Sequence, residues 1–278
     1  MKKKIVFLFL ACALVACNEV EQKAGMKLAA AREAFRQGNY SEAKLQIDSI
    51  KLLYPQAFDA RRAGIALMQQ VEVAEQEQTL LYLDSLLQVK QTDLASVRSR
   101  YVFEKDTVYQ SIGNYFYPSQ VVEKNLHRSY LRFQTDEQGV MTMTSIYCGS
   151  RSIHHTGVKV VVPDGSFAQT PPSRDSYETT HLGETIEKAD YRQGFDGHVM
   201  GFLCLNSEQN IRVEYQGDRP FVTTMSADDR RAVTEIYRLS QLLTAITKIH
   251  KEKEEAATKL SFVKQKMQER ELKQQSAR

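Results

Sequence analysis

The feature that most constrains the fold is the uneven distribution of glycine and proline along the chain. Ten of the 13 glycines and five of the six prolines fall between Gly113 and Pro220. Neither residue occurs from Ile65 to Ile112, and neither occurs after Pro220. Because both residues mark turns and interrupt helices, the chain is predicted to be helical, then rich in strands and loops, then helical again.

Two long helices are predicted from apolar periodicity. From Ala57 to about Val97, apolar residues recur among many glutamines and glutamates. This pattern predicts one helix of roughly 60 Å, with two shorter helices and a break near Thr92-Asp93 as the alternative. After the capping residue Ser226, apolar residues from Leu239 to Met267 alternate at spacings of three and four, interrupted at Lys253. This heptad pattern favours packing on the chain's own long helix, with self-association or a solvated tail as alternatives.

Short β-strands with intervening turns are predicted for the middle of the chain. The turn at 136–139 should close a hairpin that places Val140, Thr142, Thr144 and Ile146 on one face. The segment Phe167–Asp175 is predicted to be the longest loop. The predicted strands are Tyr101–Tyr109, Ser129–Gln134, Val140–Cys148, Gly157–Val162, Val199–Leu205 and Ile211–Tyr215.

The first seventeen residues form a leader of recognisable type. Three lysines precede an apolar run from Ile5 to Val15, which is too short to span a bilayer. With Leu14-Val15-Ala16-Cys17 at its end, the leader resembles the signal peptide and lipobox of bacterial lipoproteins. The resemblance implies cleavage before Cys17 and lipid attachment to its thiol; an ordinary signal peptide with a chance cysteine is the alternative.

A second resemblance covers residues 24–55. Small and aromatic residues precede Gln37-Gly38-Asn39-Tyr40, a second apolar pattern follows, and Pro55 closes the segment. This resembles one tetratricopeptide repeat, two antiparallel helices joined by a tight turn. The register does not continue into a second repeat, so we expect a helical hairpin; a groove that binds a partner's tail is the alternative.

Together these patterns predict an α+β protein. An N-terminal helical hairpin and long helix would precede an antiparallel, sandwich-like β-rich middle, and the long C-terminal helix would pack antiparallel on the N-terminal long helix. The predicted boundaries are 1–16 for the signal peptide, 17–23 for a lipidated tether, 24–100 for the helical region, 101–225 for the β-rich middle and 226–278 for the C-terminal helix.

The charge balance argues against nucleic-acid binding. The chain has 37 basic and 34 acidic residues. Lys2, Lys3 and Lys4 account for the whole excess, so removing the leader leaves a neutral chain. A nucleic-acid-binding protein needs a net basic face, and no nucleic-acid partner is expected.

Two cysteines, Cys148 and Cys204, would remain unmodified after processing. Outside the cytoplasm they are suited to a disulfide, and two free thiols that pack as small apolar groups are the alternative. Adjacent His154 and His155 would point to opposite faces of a strand. A site formed by His155, His181 and a carboxylate has no defined ligand spacing, so we expect neither a metal nor a cofactor.

No catalytic motif appears in the sequence, so an enzyme is the less favoured interpretation. The carboxylates Glu184, Glu187, Asp190 and Asp196 supply candidates for a glycosidase pair without any defined separation. The aromatic run Tyr115-Phe116-Tyr117 is a candidate partner-binding patch, with packing in the sheet as the alternative.

These observations favour a lipid-anchored, non-catalytic interaction or assembly factor of the bacterial cell envelope. Its partners would be the bilayer, through Cys17, and an envelope protein; the C-terminal helix offers a route to self-association. The alternatives are an envelope enzyme that processes glycans or peptides, and a structural spacer. Asn18, rather than an aspartate that would resemble an inner-membrane retention signal, favours the outer membrane, facing the periplasm or the cell surface.

Overall fold

The computed structural model describes residues 2–106, 108, 111–181 and 183–276, with side chains from Glu19 onward except that of His181. These residues divide into two compact units, which we call the helical unit and the β unit. The helical unit lies within Met1–Ser85 and Lys251–Arg278, and the β unit lies within Leu86–His250. None of the helices in the described part of the chain has the length and apolar content needed to cross a bilayer.

The α-helices of the described chain are α1 (Lys2–Arg36), α2 (Tyr40–Leu53), α3 (Phe58–Val97), α4 (Val199–Leu205) and α5 (Ala227–Ser276). Helices α3 and α5 contribute residues to both units. The predicted boundaries at 100 and 226 therefore follow helix ends, whereas the compact units divide within the two long helices. The predicted tether, 17–23, is part of α1 in this structure.

The predicted hairpin of α1 and α2 forms the start of the helical unit. Gly38 allows the tight turn with φ +73°, and the Asn39 side chain caps α2 by accepting from the Glu42 amide at 3.2 Å. The Lys44 ammonium joins α2 to α3 through the Glu75 carboxylate at 2.7 Å. Small and aliphatic residues fill the core between these helices: Ala24, Leu28, Ala31, Ala43, Ile47, Ile50, Ala60, Leu67 and Val71.

The end of α5 runs antiparallel to α3 within the helical unit, as predicted. Lys253 pairs with Asp84, and Lys264 pairs with Glu77 at 2.9 Å, so the numbering of one helix rises as that of the other falls. Ala256 is buried among these pairs. Helix α3 continues to Val97, so the alternative break at residues 92–93 is absent from the described helix.

The β unit contains two antiparallel sheets among its described residues. The six-stranded sheet has the order β1-β2-β3-β4-β8-β7, and the four-stranded sheet has the order β10-β9-β5-β6. The strands are β1 (Val102–Glu104), β2 (Asn114–Phe116), β3 (Tyr130–Asp136), β4 (Met141–Gly149), β5 (Gly157–Val161), β6 (Phe167–Gln169), β7 (Ser176–His181), β8 (Glu184–Arg192), β9 (Arg212–Gln216) and β10 (Phe221–Thr224).

The core of the β unit draws on both sheets and on the helices α4 and α5, and the predicted α+β class is confirmed. On β4 the fully buried residues are Met141, Met143 and Ser145. The predicted face with Val140, Thr142 and Thr144 is the outer, partly exposed one, which the alternation of a strand requires. The two sheets are tied directly by the Tyr215 hydroxyl, which donates to the Ile146 carbonyl at 3.0 Å.

The hairpin between β3 and β4 rests on α5. The Gly139 carbonyl accepts from the Ser240 hydroxyl at 2.9 Å and from the Thr244 hydroxyl at 3.1 Å. Nearby, Tyr115 of β2 packs with Leu239 and Leu243 of α5. The helix therefore contacts the sheet at two points within the β unit.

The predicted strand Tyr101–Tyr109 is reduced to β1, Val102–Glu104; residues 105–106 are outside the strand, and 107 and 109 lie outside the described residues. Two other predictions for the middle are wrong. Val199–Leu205 is helix α4 rather than a strand, because its apolar run has no alternation and the Met200 amide is capped by the Asp196 carboxylate at 2.8 Å. The predicted loop Phe167–Asp175 begins with strand β6. The hairpin of β7 and β8 was missed because its exposed positions are threonine and charged residues, which weaken the apolar signal.

The contact between the β3–β4 turn and α5 can be tested at Gly139. This residue has φ +87°, and an added Cβ would lie 2.3 Å from the Thr244 amide nitrogen and 2.6 Å from the Ser240 carbonyl oxygen. Gly139→Ala should therefore lower the free energy of unfolding by about 3 kcal/mol or more, through backbone strain and a forced shift of α5.

Gly165→Ala is the matched control, since Gly165 also has a positive φ, +90°, but has open space around its added Cβ. We expect it to cost only the strain of the left-handed backbone, about 1–2 kcal/mol. Denaturant titration measures both values. Equal losses would show that the approach to α5 contributes nothing.

Candidate binding face of the β unit

The lipobox residues Leu14, Val15, Ala16 and Cys17 lie in the backbone of α1, and their side chains are outside those that the structure describes. Lipid attachment at Cys17 therefore stays a prediction. Cys17 precedes Glu21 by one helical turn. Glu21 is held in the helical unit, where its carboxylate accepts from the Ala60 amide at 2.7 Å.

The aromatic run 115–117 is packed into the β unit. Tyr115 and Phe116 are each 4% exposed, and Tyr117 packs partly against the core. Tyr115 faces α5, while Phe116, on the opposite face of β2, is covered by the Arg132 guanidinium at 4.2 Å from its ring centroid. These positions correspond to packing in the sheet, the alternative to an exposed patch.

Cys148 and Cys204 are both free thiols, the second of the two alternatives that the sequence left open. Cys148 lies on β4, whereas Cys204 lies on α4, where its thiol contacts the Val233 carbonyl at 3.8 Å. Burial raises the pKa of Cys204 to about 12 and also raises the pKa of Cys148. Both thiols are therefore protonated at neutral pH.

The four candidate carboxylates are engaged in separate contacts. Glu184, Glu187 and Asp190 belong to one strand, β8, and its alternation turns Glu187 inward and the other two outward. Glu184 contacts the His127 ring at 2.5 Å, Asp190 accepts from the Thr144 hydroxyl, and Asp196 caps α4. Within the described residues, no group of three or more His, Cys, Asp or Glu side chains has the arrangement of a metal site.

The most highly connected polar group is the Glu187 carboxylate, which is surrounded by the loop from β4 to β5. Its Oε1 accepts from the amides of Ile153 at 2.6 Å and His154 at 2.9 Å, and from the Ser152 hydroxyl at 2.7 Å. Its Oε2 accepts from the His155 amide at 2.8 Å and lies 2.8 Å from Nδ1 of the same residue. Five hydrogen bonds thus fix this loop to β8.

His155 extends the network to Ser145, whose hydroxyl lies 2.8 Å from the ring Nε2. The order Ser145, His155, Glu187 has the connectivity of a serine nucleophile, base and orienting acid. Ser145 is 0% exposed and its hydroxyl also approaches the Ala189 carbonyl at 3.4 Å, so the serine is enclosed by the sheet. The arrangement is suited to holding the two sheets together, because the loop connects a strand of one sheet to a strand of the other.

The charge state of Glu187 follows from these contacts. Burial alone would raise its pKa, but the amide of His155, the hydroxyl of Ser152 and the other donors stabilise the carboxylate and lower the pKa to about 2. Glu187 is therefore an ionised, buried residue at neutral pH.

The outer face of the six-stranded sheet carries a groove, which we call the outer-face groove. It lies between the loop 122–128 and strands β3, β4 and β8 and has a volume of ≈190 Å³. Its apolar lining comes from Val122, Leu126, Tyr130, Ile146, Cys148 and Ile186; its charged and polar lining comes from Asn125, His127, Arg128, Arg132, Glu184 and Lys188.

Arg132 and Lys188 are the two cations of the groove that have no hydrogen bond to a carboxylate among the described residues. The Arg132 side chain is 17% exposed, and its nearest carboxylate is that of Glu104, at 3.9 Å. Among the described residues, no acceptor lies within hydrogen-bonding distance of its buried Nε. Glu184 is already in contact with His127, so the open charge of the groove is positive.

The loop at the groove's edge is held in a strained conformation. His127 has φ +60°, a backbone conformation that residues other than glycine rarely adopt. Arg128 fixes the loop by donating to the Asn125 side chain at 2.8 Å and to the Asp229 carboxylate at 2.5 Å. Leu126 remains 59% exposed at the groove's edge.

Sequence reasoning missed both the Glu187 network and the outer-face groove. The alternation of Thr185, Glu187, Ala189 and Tyr191 would have placed a carboxylate on the inner face, had β8 been recognised as a strand. The groove had no sequence signal, because its residues come from the loop 122–128, the hairpin of β3 and β4, and strand β8, which is distant in the chain.

The Glu187 network predicts a specific loss of stability in acid. Its pKa is about 2 in the folded chain against 4.5 for a free glutamate, so the stabilisation is complete above about pH 4.5 and is lost as the pH falls towards 2. Glu187→Gln should lower the free energy of unfolding by about 3 kcal/mol at neutral pH, because an NH2 group replaces one charged oxygen and leaves the buried donors on that side without an acceptor.

The control variant is Glu178→Gln, whose exposed carboxylate on the neighbouring strand accepts from Ser152 at 2.9 Å. Denaturant titrations between pH 2 and pH 7 compare the variants with the unchanged chain. The interpretation is wrong if Glu187→Gln and Glu178→Gln have the same stability, or if Glu187→Gln retains the full acid dependence.

Comparison with family models, curated proteins and solved structures finds no match to this chain. The proposal that follows is therefore argued from the chain's own residues.

Proposed function

We propose that this protein is a lipid-anchored, non-catalytic binding factor of the bacterial cell envelope. The lipid would be attached at Cys17, and an envelope protein would bind at the outer-face groove of the β unit. The observation that carries the binding proposal is the Arg132 side chain, which lines the apolar groove, donates no hydrogen bond to a described carboxylate and has its nearest carboxylate, that of Glu104, at 3.9 Å.

The groove suits a segment with one apolar side chain and one carboxylate. Its volume of ≈190 Å³ is about that of a single large residue, below the usual range for drug-sized ligands. Tyr130 and Ile146 supply an apolar floor, while Arg132 supplies charge-assisted donors that a carboxylate would satisfy. We therefore favour an exposed segment or chain end of a protein over a large ligand.

Binding is favoured over catalysis because the chemically suggestive residues lie away from the groove. Ser145 and His155 are enclosed on the inner face of the sheet, at 0% and 2% exposure. Strand alternation separates them from outward-facing Arg132 and Lys188. The outer face thus presents cations and apolar groups without an adjacent activated nucleophile.

The partner proposal is tested by photocrosslinking. With a photoreactive amino acid at exposed Leu126, the membrane-bound chain should crosslink to one or a few envelope proteins. Arg132→Gln in the same background should lower the crosslinked yield about tenfold or more, since a buried carboxylate contact is worth on the order of 1.5–3 kcal/mol.

Arg192→Gln is the matched control, because Arg192 is an exposed arginine on β8 outside the lining of the groove, and it should leave the yield unchanged. Equal yields from Arg132→Gln and the unchanged chain would contradict the proposal. Crosslinks between copies of this chain would favour the spacer. Turnover of an envelope glycan or peptide that a single carboxylate change abolishes would favour the enzyme.

The lipid anchor is tested separately by Cys17→Ala. We expect the variant to keep its leader uncleaved and to lack the lipid-dependent mass of the mature chain. Metabolic labelling with a fatty-acid analogue and mass spectrometry of the N-terminal peptide measure both effects. Label in the Cys17→Ala chain, or an unmodified Cys17 in the unchanged chain, would contradict lipid attachment there.

A further inference from the structure

We propose that the turn between α2 and α3 is a second membrane contact, which inserts Leu52, Leu53 and Phe58 into the surface of the bilayer that holds the lipid anchor. This proposal rests on the lipid attachment proposed for Cys17. It concerns the helical unit alone.

The path of the chain brings this turn to the lipid-bearing end of the helical unit. Helix α1 leads away from Cys17, α2 returns antiparallel to it, and the turn at 54–57 follows. Here the Ala60 amide donates to the Glu21 carboxylate at 2.7 Å. Cys17 precedes Glu21 by four residues, about 6 Å along α1. The turn is therefore within reach of any bilayer that holds a lipid on Cys17.

The side chains of the turn are unusually apolar for an exposed position. Leu52 is 76% exposed, Leu53 is 62% exposed and Phe58 is 68% exposed. Helix α2 packs its opposite positions, Ile47 and Ile50, into the core, so the two leucines are left outside. Three large apolar residues within seven positions are therefore exposed at this turn, which we call the apolar patch, and such residues suit the disordered interface of a bilayer.

The charges beside the patch suit an anionic bilayer surface. Lys51 and Arg62 are exposed, and Arg61 donates to the Pro55 carbonyl at 2.7 Å, which ties a cation to the turn itself. The acidic neighbours are exposed Asp59 and Glu21, whose carboxylate accepts from the Ala60 amide, so the three cations outnumber them by one. Apolar residues flanked by basic ones are typical of segments that lie in the interface. A bilayer is favoured over a protein because proximity to Cys17 already supplies the bilayer at high effective concentration.

The second contact would fix the orientation of the helical unit. A lipid on Cys17 is a single point of attachment and leaves the unit free to tilt. Insertion of the turn adds a second point on the same end, which holds α1, α2 and the start of α3 against the membrane surface.

The absence of tryptophan from the chain permits a direct test. Phe58→Trp introduces a single tryptophan at the turn, and the lipidated chain is reconstituted into vesicles of phosphatidylcholine and phosphatidylglycerol. We expect the emission to shift to shorter wavelength and to be quenched by lipids with brominated acyl chains.

Tyr82→Trp is the matched control. Tyr82 is 65% exposed on α3, also in the helical unit, but lies about 36 Å along the helix from Phe58. Its tryptophan should show neither the shift nor the quenching. Equal quenching at both positions, or no quenching of Phe58→Trp in membrane-bound protein, would overturn the proposal.

A second variant measures affinity without the lipid. The chain from Asn18 to Arg278 should float with vesicles containing phosphatidylglycerol, and combined Leu52→Ser, Leu53→Ser and Phe58→Ser should reduce partitioning by about tenfold or more. Leu81→Ser with Tyr82→Ser is the control and should partition like the unchanged chain. Equal flotation of the triple variant would overturn the contact, and circular dichroism confirms that each chain remains helical.

These measurements separate this proposal from the lipid anchor. An unmodified Cys17 together with flotation that depends on Leu52, Leu53 and Phe58 would support the contact and contradict the anchor. A lipidated chain whose Phe58→Trp emission stays unshifted and unquenched would support the anchor and contradict the contact.

Discussion

The β unit depends on one buried carboxylate at the point where the chain passes from one sheet to the other. The loop from β4 to β5 must leave the six-stranded sheet and enter the four-stranded sheet, and its amides would be unsatisfied inside the core. Glu187 accepts from three consecutive amides of this loop and from two side chains. Because the acceptor is ionised, these bonds are stronger than those to a neutral group, and the crossing is fixed in one conformation.

The same strand that fixes the crossing also forms part of the proposed binding face. Strand β8 turns Glu187 inward and Lys188 outward, so a stable inner network holds the outer residues in register. On β3, the same alternation buries Leu131 and Phe133 and presents Arg132 above Phe116. The proposed binding face therefore rests on rigid strands, and only its edge is formed by the loop 122–128.

The parts of the fold that sequence could predict are those with a repeated local signal. The ends of α3 and α5 were close to the predicted ones, because periodic apolar residues run through both helices. The Ser226 hydroxyl caps the start of α5 by accepting from the Asp229 amide at 3.1 Å. Val199–Leu205 was predicted wrongly because a short run of six apolar residues and one glycine suits either structure. Glu187 had a local signal only in the alternation of β8, which was not recognised as a strand, and Arg132 had none; the importance of each comes from partners distant in sequence. Non-local pairing is the information that a single sequence lacks.

In the helical unit, the position of three exposed apolar residues in the fold matters more than their identity. Leu52, Leu53 and Phe58 are individually ordinary, since single exposed apolar residues are common on protein surfaces. Two antiparallel reversals along α1, α2 and α3 place them near Glu21, one helical turn after Cys17. The opposite turn, at Gly38 and Asn39, is polar and carries only a helix cap. The helical unit is thus apolar at the end beside Cys17 and polar at the other end, and the proposed membrane contact at the first end requires this asymmetry.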